Sequence, residues 1–199
     1  MLIIKSDNPD LYQEIQERNL ERQYDLLANF IQIGLVKGPH SVTKYTLYAL
    51  NLTAISGISQ MAGRFRQDPI YIGNSPHRPP RFEEVPDYID RMFSFLYENW
   101  DEADAYQLAG YALWRLNWIH PFIEGNGRTS RALCYYILCV KLGGLIPGSK
   151  TVPERIREAR EPYYKALREV DAAWDDGHLD LSPIAIYLSS LVKAQLQDN

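Results

Sequence analysis

Apolar side chains recur at helical spacing along most of the chain, and recognisable cap residues bound several of the runs. Asn8 followed by Pro9 is typical of a helix start, and Gly34 is a plausible helix end. A second helix is predicted from a cap at Ser41 to about Ser56. The pattern therefore indicates a chain that is mainly α-helical from its first third onwards.

Two later runs are apolar on nearly every side, which is the pattern of helices at the centre of a domain. They span residues 104–119 and 128–142, and a third helix is predicted to open before them at Pro86. The polar segment His120–Gly127 joins the two central helices, so its polar groups need partners inside the protein. From Val152 onwards the pattern indicates two or three shorter helices.

One segment breaks the helical pattern. Residues 63–80, GRFRQDPIYIGNSPHRPP, are rich in glycine and proline and contain one short apolar run, Ile70, Tyr71 and Ile72. A β-branched and aromatic run between turn residues predicts a strand, so we expect a small β-hairpin or flap here. Extended backbone in such a flap could pair with a segment of another protein as an added strand.

Composition narrows the class of protein. The chain has 199 residues, with 46% hydrophobic and 23% charged, which predicts a single domain over 1–199. The net charge of −4 without a basic block argues against nucleic-acid binding. The N-terminus has no secretory leader and no run reaches membrane-spanning length, so we expect a cytoplasmic protein, with export as an effector left open. Cys134 and Cys139 do not share a helix face, so we expect no disulfide between them. Both lie in an apolar stretch, which predicts buried thiols.

The segment between the central helices carries the candidate chemistry. Gly125 and Gly127 flank Asn126 directly before a helix, where backbone can approach a ligand closely and free N–H groups face an anion. Arg128 and Arg131 lie one turn apart at the start of that helix, where two cations repel each other and oppose the helix dipole. A polyanion such as a triphosphate would explain this arrangement.

Two further side chains complete the candidate site. Glu124 would repel phosphate unless a cation lies between them, and Mg²⁺ favours carboxylate and phosphate oxygens. His120 is the one group of the segment suited to proton transfer near neutral pH. The set indicates phosphoryl or nucleotidyl transfer. It matches neither a Walker A loop nor a Rossmann fingerprint, and one histidine with one glutamate is too small a set for zinc.

These residues resemble a known family signature. HPFIEGNGRTSR at 120–131 matches the Fic motif HPF-x-[DE]-GNGR-x-x-R at every specified position. Residues 63–80, with the Val-Pro pair at 85–86, look like the family's flap, and PYYKALREVD at 162–171 resembles its adenine-side segment. The similarity covers about 45–190, which leaves 1–44 as an N-terminal helical extension.

The resemblance implies a Fic fold, a helical bundle with a small β-hairpin flap over the active site. It implies transfer of AMP from Mg-ATP to a Ser, Thr or Tyr hydroxyl of a target protein. His120 would be the general base, Glu124 would hold Mg²⁺, and the flap residues Ile70, Tyr71 and Ile72 would dock the target. The residues implied in phosphate binding are Gly125, Asn126, Gly127, Arg128 and Arg131. Those implied near adenine are Tyr163, Tyr164 and Leu167, while Asp171 stands where some members have Asn.

Alternatives remain beside this interpretation. One is a non-catalytic nucleotide-sensing or interaction module, and another is a Fic enzyme that transfers a different phosphate-linked group. Many Fic proteins silence themselves with the motif [ST]-x-x-x-E-[GN], which SFLYEN at 94–99 matches formally. We interpret this match as accidental, because a helix of roughly 22 Å separates Glu98 from the site. Restraint would then come from a separate small inhibitor protein, from a homo-oligomer, or not at all.

Overall fold

The computed structural model describes residues 8–73 and 75–198, and within these residues the chain is mainly α-helical, as predicted. None of the helices in this part of the chain combines the length and apolar character needed to cross a bilayer. The described residues form eight α-helices: α1 (Pro9–Lys37), α2 (Lys44–Ile55), α3 (Val85–Glu98), α4 (Ala105–Ile119), α5 (Asn126–Lys141), α6 (Val152–Glu158), α7 (Arg160–Asp175) and α8 (Ser182–Leu196).

Helices α4 and α5 form the centre of the bundle, in agreement with their all-round apolar pattern. The Asp104 carboxylate caps α4 by accepting hydrogen bonds from the backbone N–H groups of the first turn, and almost every later residue of the helix is buried. Helix α8 covers one side of α4, and it approaches so closely that a Cβ on Gly110 would lie 2.7 Å from Ile184 Cγ2. Helix α5 packs on another side, and α1 and α2 pack against α5.

The end of α1 differs from the prediction. The helix continues past Gly34 to Lys37, and Gly38 ends it at φ 74°. Gly34 instead allows close packing, because a Cβ there would lie 2.3 Å from Tyr136 Oη and 2.7 Å from Val140 Cγ2 on α5. This glycine therefore brings α1 onto α5, which positions α1 beside the candidate site.

The starts of α2 and α3 also differ from the prediction. Thr43, rather than Ser41, caps α2, and it exchanges hydrogen bonds with Thr46 in a capping box. The Ser41 hydroxyl is engaged elsewhere, with Gly38 O at 2.7 Å and Tyr136 Oη at 2.6 Å. Helix α3 begins one residue before Pro86, which occupies an early position where its missing N–H costs nothing.

The predicted β-hairpin is not found. Among the described residues of 63–80 there is no strand, and the segment is an irregular loop; Asn74 lies outside the described residues. A hairpin needs two arms, whereas this segment has one apolar run. Hydrogen bonds between backbone groups in its described residues are local, as from Ser75 N to Ile72 O at 3.3 Å, or go to another loop, as from Arg66 N to Pro121 O at 2.8 Å. We refer to residues 63–80 as the flap.

Candidate active site

The C-terminus of α4 places His120 at a sharp change of direction. Its φ of 50° and ψ of 59° lie in the left-handed region, which non-glycine residues adopt uncommonly. The backbone N–H of His120 still donates to Leu116 O at 3.0 Å, so the last turn of the helix is closed. The chain then leaves the helix axis and enters the loop that leads to α5.

The imidazole of His120 has a defined tautomer. Its Nδ1 lies 3.2 Å from Asn117 O, and because a carbonyl only accepts, Nδ1 carries the hydrogen and Nε2 keeps a lone pair. Burial lowers the pKa of His120 to about 4; the hydrogen bond to Asn117 O opposes this shift, and Arg66 and His77 make smaller contributions that lower the pKa further. The ring is therefore neutral near pH 7 and can accept a proton at Nε2.

Asn126 closes the loop between α4 and α5. Its side chain accepts a hydrogen bond from Phe122 N at 2.9 Å and donates one to Phe122 O at 2.7 Å. Phe122 is fully buried. The observed loop is shorter than the predicted one, because α5 begins at Asn126 rather than at Arg128. The amide of Asn126 is occupied by the loop itself.

Asn51 on α2 supports the same loop from below, and sequence reasoning missed it. Its amide nitrogen donates to Glu124 O at 2.9 Å, and its oxygen accepts from Gly63 N at 3.0 Å. Gly125 has φ 80°, and a Cβ there would lie 3.0 Å from the Asn51 amide nitrogen and 2.8 Å from Ile55 Cγ2. A lone buried asparagine carries no local signal that would have identified it.

Arg128 and Arg131 project from the first turns of α5 into a cleft of about 1190 Å³. Arg128 Nη1 donates to Ala54 O at 3.1 Å, and burial lowers the pKa of both guanidiniums. Glu124 lines the same cleft, whose other walls come from α1, α6 and the start of α7. The structure thus brings the predicted arginine pair and the predicted acid to one cavity.

A second missed residue, Asn117, links the histidine to α7. Its amide nitrogen lies within hydrogen-bonding distance of Leu113 O, Ser130 Oγ and Tyr163 Oη, at 2.6, 2.9 and 2.9 Å. The backbone carbonyl of Asn117 is the group that fixes the tautomer of His120. Asn117 therefore joins the histidine, the start of α5 and the predicted adenine-side helix.

The residues predicted near adenine separate into different environments. Tyr163 is buried at 3% exposure, whereas its neighbour Tyr164 is 43% exposed. Leu167 packs partly buried against the core. One turn further on, the Asp171 carboxylate accepts a hydrogen bond from Trp114 Nε1 at 2.7 Å, and burial raises the pKa of Asp171.

The flap contacts the end of α4 next to the histidine, through Arg66 and His77. Tyr71 is 75% exposed and has the Arg78 guanidinium 5.2 Å from its ring centre, while Ile70 and Ile72 are half-buried. His77 anchors the later part of the flap, with Nε2 2.8 Å from Trp118 O and its ring 5.4 Å from the Trp118 ring. Of the three residues predicted to dock a target, Tyr71 is therefore largely exposed and Ile70 and Ile72 are half-buried, beside an anchored segment.

The donor chemistry of the cleft is compatible with Mg²⁺. Among the described residues no group of three or more His, Cys, Asp or Glu side chains could hold a metal by itself. Mg²⁺ does not need such a group, because proteins often bind it through one or two carboxylates together with substrate phosphates and water. Glu124, half-buried in the cleft beside Arg128, can supply one such carboxylate.

Fold and site together define a helical domain in which a histidine-bearing loop leads to a helix that carries two arginines near its start. A sequence model described as the Fic/DOC family matches residues 41–138. This segment, 98 of the 199 residues, is similar to the Fic/DOC family. The match includes the flap, α4, the loop that follows it and all of α5 except its last three residues.

Individual relatives give the same result. The protein adenylyltransferase Fic of Drosophila persimilis is 30% identical over 128 residues, which are 63% of this chain and 25% of the relative. The protein adenylyltransferase fic-1 of Caenorhabditis elegans is 29% identical over 189 residues, 93% of this chain and 34% of the relative. The chain therefore spans about a quarter to a third of the length of these curated relatives.

Solved structures establish the fold. A Fic domain-containing signalling protein from Bacteroides thetaiotaomicron superimposes with a TM-score of 0.77 at 20% identity, over 97% of this chain and 74% of the other. Fic-1 from C. elegans gives a TM-score of 0.69 at 21% identity, over 98% of this chain and 52% of the other. The expected Fic fold is thus confirmed, although the described residues of the flap form no strand.

Proposed function

We propose that this chain is a protein adenylyltransferase that transfers AMP from ATP to a Ser, Thr or Tyr hydroxyl of a target protein. The observation that carries the proposal is the neutral His120 with a free Nε2, on the loop that leads directly to the arginine-bearing start of α5. A proton acceptor and an anion-binding helix start, joined by a short hydrogen-bonded loop, are the parts that nucleotidyl transfer requires. The adenylyltransferase names of the relatives support the same class.

The proposed reaction follows from these groups. His120 Nε2 removes the proton of the target hydroxyl as the hydroxyl oxygen attacks the α-phosphorus of ATP. The bond between the α-phosphorus and the bridging oxygen breaks, and pyrophosphate leaves with its electron pair. AMP remains on the target, and His120 later releases its proton to solvent. The base is neutral before each turnover because burial keeps its pKa low.

Phosphate binding is assigned to the start of α5. Gly125 and Gly127 offer backbone N–H groups, and Arg128 and Arg131 neutralise the β- and γ-phosphates. Glu124 would hold Mg²⁺, which supplies charge neutralisation to the triphosphate when bound. Asn126 contributes mainly by closing the loop, since both polar atoms of its side chain bond to Phe122.

The remaining contacts of the substrates are proposed on the two sides of this centre. Tyr163, Tyr164 and Leu167 would border the base, with the exposed ring of Tyr164 available for stacking. The accessible backbone around Tyr71 would hold an extended segment of the target, as the flap expectation requires. We also propose that residues 1–199 form one domain and that it works in the cytoplasm, where ATP is available.

Control of the activity is proposed to come from outside this site's own residues. The cleft of about 1190 Å³ beside Arg131 has room for more than a triphosphate, and one wall is the long helix α1. A small inhibitor protein or a second copy of the chain could occupy that space. Both would act by competing with the γ-phosphate for the arginine pair.

Parallel labelling with α- and γ-labelled ATP tests the proposed function. The α label should remain on protein and the γ label should leave with pyrophosphate. His120→Ala should lower transfer by about 10²–10⁴-fold, the usual contribution of a general base, while ATP binding persists. His178→Ala is the matched control, because His178 is exposed on a turn far along the chain. Retained γ label would indicate a kinase, and binding without transfer would indicate a nucleotide sensor.

A further inference from the structure

Arg66, near the start of the flap, is one of the most buried charged residues described, at 2% exposure. Its guanidinium bonds to both ends of the flap. Nη1 donates to Asp68 O at 3.3 Å, and Nη2 donates to Pro80 O at 2.5 Å. One side chain thus ties together two points that are twelve residues apart and fixes the base of the flap.

The same guanidinium also binds the end of α4. Nε donates to His120 O at 2.9 Å, and Nη2 reaches Ile119 O at 3.4 Å. The backbone N–H of Arg66 donates to Pro121 O at 2.8 Å. Arg66 therefore contacts three consecutive residues centred on the candidate base, in addition to the two ends of the flap.

The chemistry of this position favours arginine over other residues. Helix α4 ends with carbonyl oxygens that carry partial negative charge, and a cation placed there is stabilised. A planar guanidinium presents up to five donors in fixed directions, so it can serve carbonyls from several segments at once. Burial lowers the pKa of Arg66, yet arginine stays protonated in proteins, so the positive charge persists beside His120.

We propose that Arg66 is a positioning residue that fixes the flap and His120 relative to each other, so that a hydroxyl held by the flap meets the Nε2 lone pair. This inference rests on the proposed function, because it assumes that the flap presents the target. It differs from a purely structural role in one respect. Arg66 would set the distance between the target segment and the base, and its charge would help to keep that base neutral.

Two separable effects follow from this role. If the hydrogen bonds are lost, the flap and the base are free to move apart, and a displacement of about 1 Å can lower a rate roughly 10²-fold. If the charge is lost, the pKa of His120 rises. The charged groups that act on the ring are Arg66 and His77, and both lower its pKa. Removal of one of them should move the titration of the ring towards higher pH.

The two effects can be tested separately with two substitutions. Arg66→Lys keeps the charge but cannot reproduce the planar set of donors, whereas Arg66→Gln removes the charge. Arg64→Gln is the matched control, since Arg64 is exposed two residues away in the same segment. Three quantities are measured in the full chain: the NMR titration of His120, assigned with His120→Ala; hydrogen exchange of residues 67–79; and kcat for α-label transfer beside the Kd for ATP.

We expect both Arg66 variants to exchange faster in the flap and to lose about 10–100-fold in kcat with little change in the Kd for ATP. Only Arg66→Gln should raise the pKa of His120. Wild-type exchange and kcat in Arg66→Lys would overturn the positioning role, and an unmoved titration in Arg66→Gln would overturn the electrostatic role. If Arg66→Gln does not fold, Arg66→Lys still decides the positioning role, which is the proposal itself. The His120 titration and the hydrogen exchange can be measured without turnover. If the wild-type chain is inactive, the proposed function is contradicted, but the contacts of Arg66 with the flap and with His120 can still be tested by these two measurements.

Discussion

Asn126→Asp is the most informative small change in the loop between α4 and α5. Asn126 is 3% exposed, accepts from Phe122 N at 2.9 Å and donates to Phe122 O at 2.7 Å. An aspartate has the same shape and keeps the first hydrogen bond. It loses the second, and it places a carboxylate oxygen against a carbonyl oxygen. The change therefore removes one hydrogen bond and adds one negative charge without leaving a cavity.

The expected magnitude follows from these contacts. A buried acceptor left without its partner costs about 1–3 kcal/mol. A negative charge at the start of α5 returns about 0.3–1 kcal/mol through the helix dipole. The net loss in the free energy of unfolding is about 1–2 kcal/mol, which in a chain of this size lowers Tm by about 2–8 °C. The added charge also opposes the phosphates, so ATP should bind more weakly.

Thermal unfolding across pH, together with calorimetric ATP titration, measures both effects. The introduced carboxyl is buried, so its pKa in the folded state lies above its unfolded value. The folded variant therefore gains stability as the pH falls, and the difference in Tm from wild type should narrow between pH 7 and pH 5. Asn8→Asp is the matched control, because Asn8 caps α1 at the surface as an acceptor only. A Tm within about 1 °C of wild type, with unchanged ATP affinity, would refute this account of the loop.

Three further predictions concern the base, the flap and control. On the acid side, kcat/KM should fall with the titration of His120 in the free enzyme, near pH 4. The corresponding fall in kcat should lie at higher pH, because bound triphosphate favours the imidazolium. If kcat and kcat/KM fall at the same pH, this account is contradicted. Tyr71→Pro removes a backbone N–H from the exposed flap, so target modification should fall more than ATP affinity at an unchanged Tm. Equal losses of both would mean that the flap is only structural. Glu98→Gly should not raise self-labelling by α-labelled ATP, because the exposed Glu98 ends α3 and the length of α4, roughly 22 Å, separates that region from the loop. A large rise would identify residues 94–99 as the inhibitory segment.

The sequence was most informative where the residues that carry the chemistry are close neighbours along the chain. His120, Glu124 and the arginine pair lie within twelve consecutive residues, so a local pattern could indicate their joint role. The two central helices were also predictable, because burial on every side leaves an apolar pattern without a polar face. Their ends were placed less well, as the early start of α5 at Asn126 demonstrates.

Features that depend on contacts between distant segments were not predictable. Glycine is a residue type typical of helix ends, but the role of Gly34 is set by its close contact with Tyr136, about one hundred residues later. Asn51 and Arg66 support the site through hydrogen bonds to loops that no spacing rule connects to them. The flap run Ile70–Ile72 has strand-like residues, yet a strand exists only with a pairing partner, and in the described part of the chain the flap has none.

The left-handed backbone of His120 has a consequence for engineering this domain. A side chain at φ 50° costs about 1 kcal/mol relative to glycine, so His120→Gly should remove strain at the end of α4. It also removes the imidazole that is kept neutral by burial. Folding and chemistry therefore oppose each other at this position. A library selected for heat resistance alone would accumulate inactive chains here, and a stabilised variant needs an activity screen run in parallel.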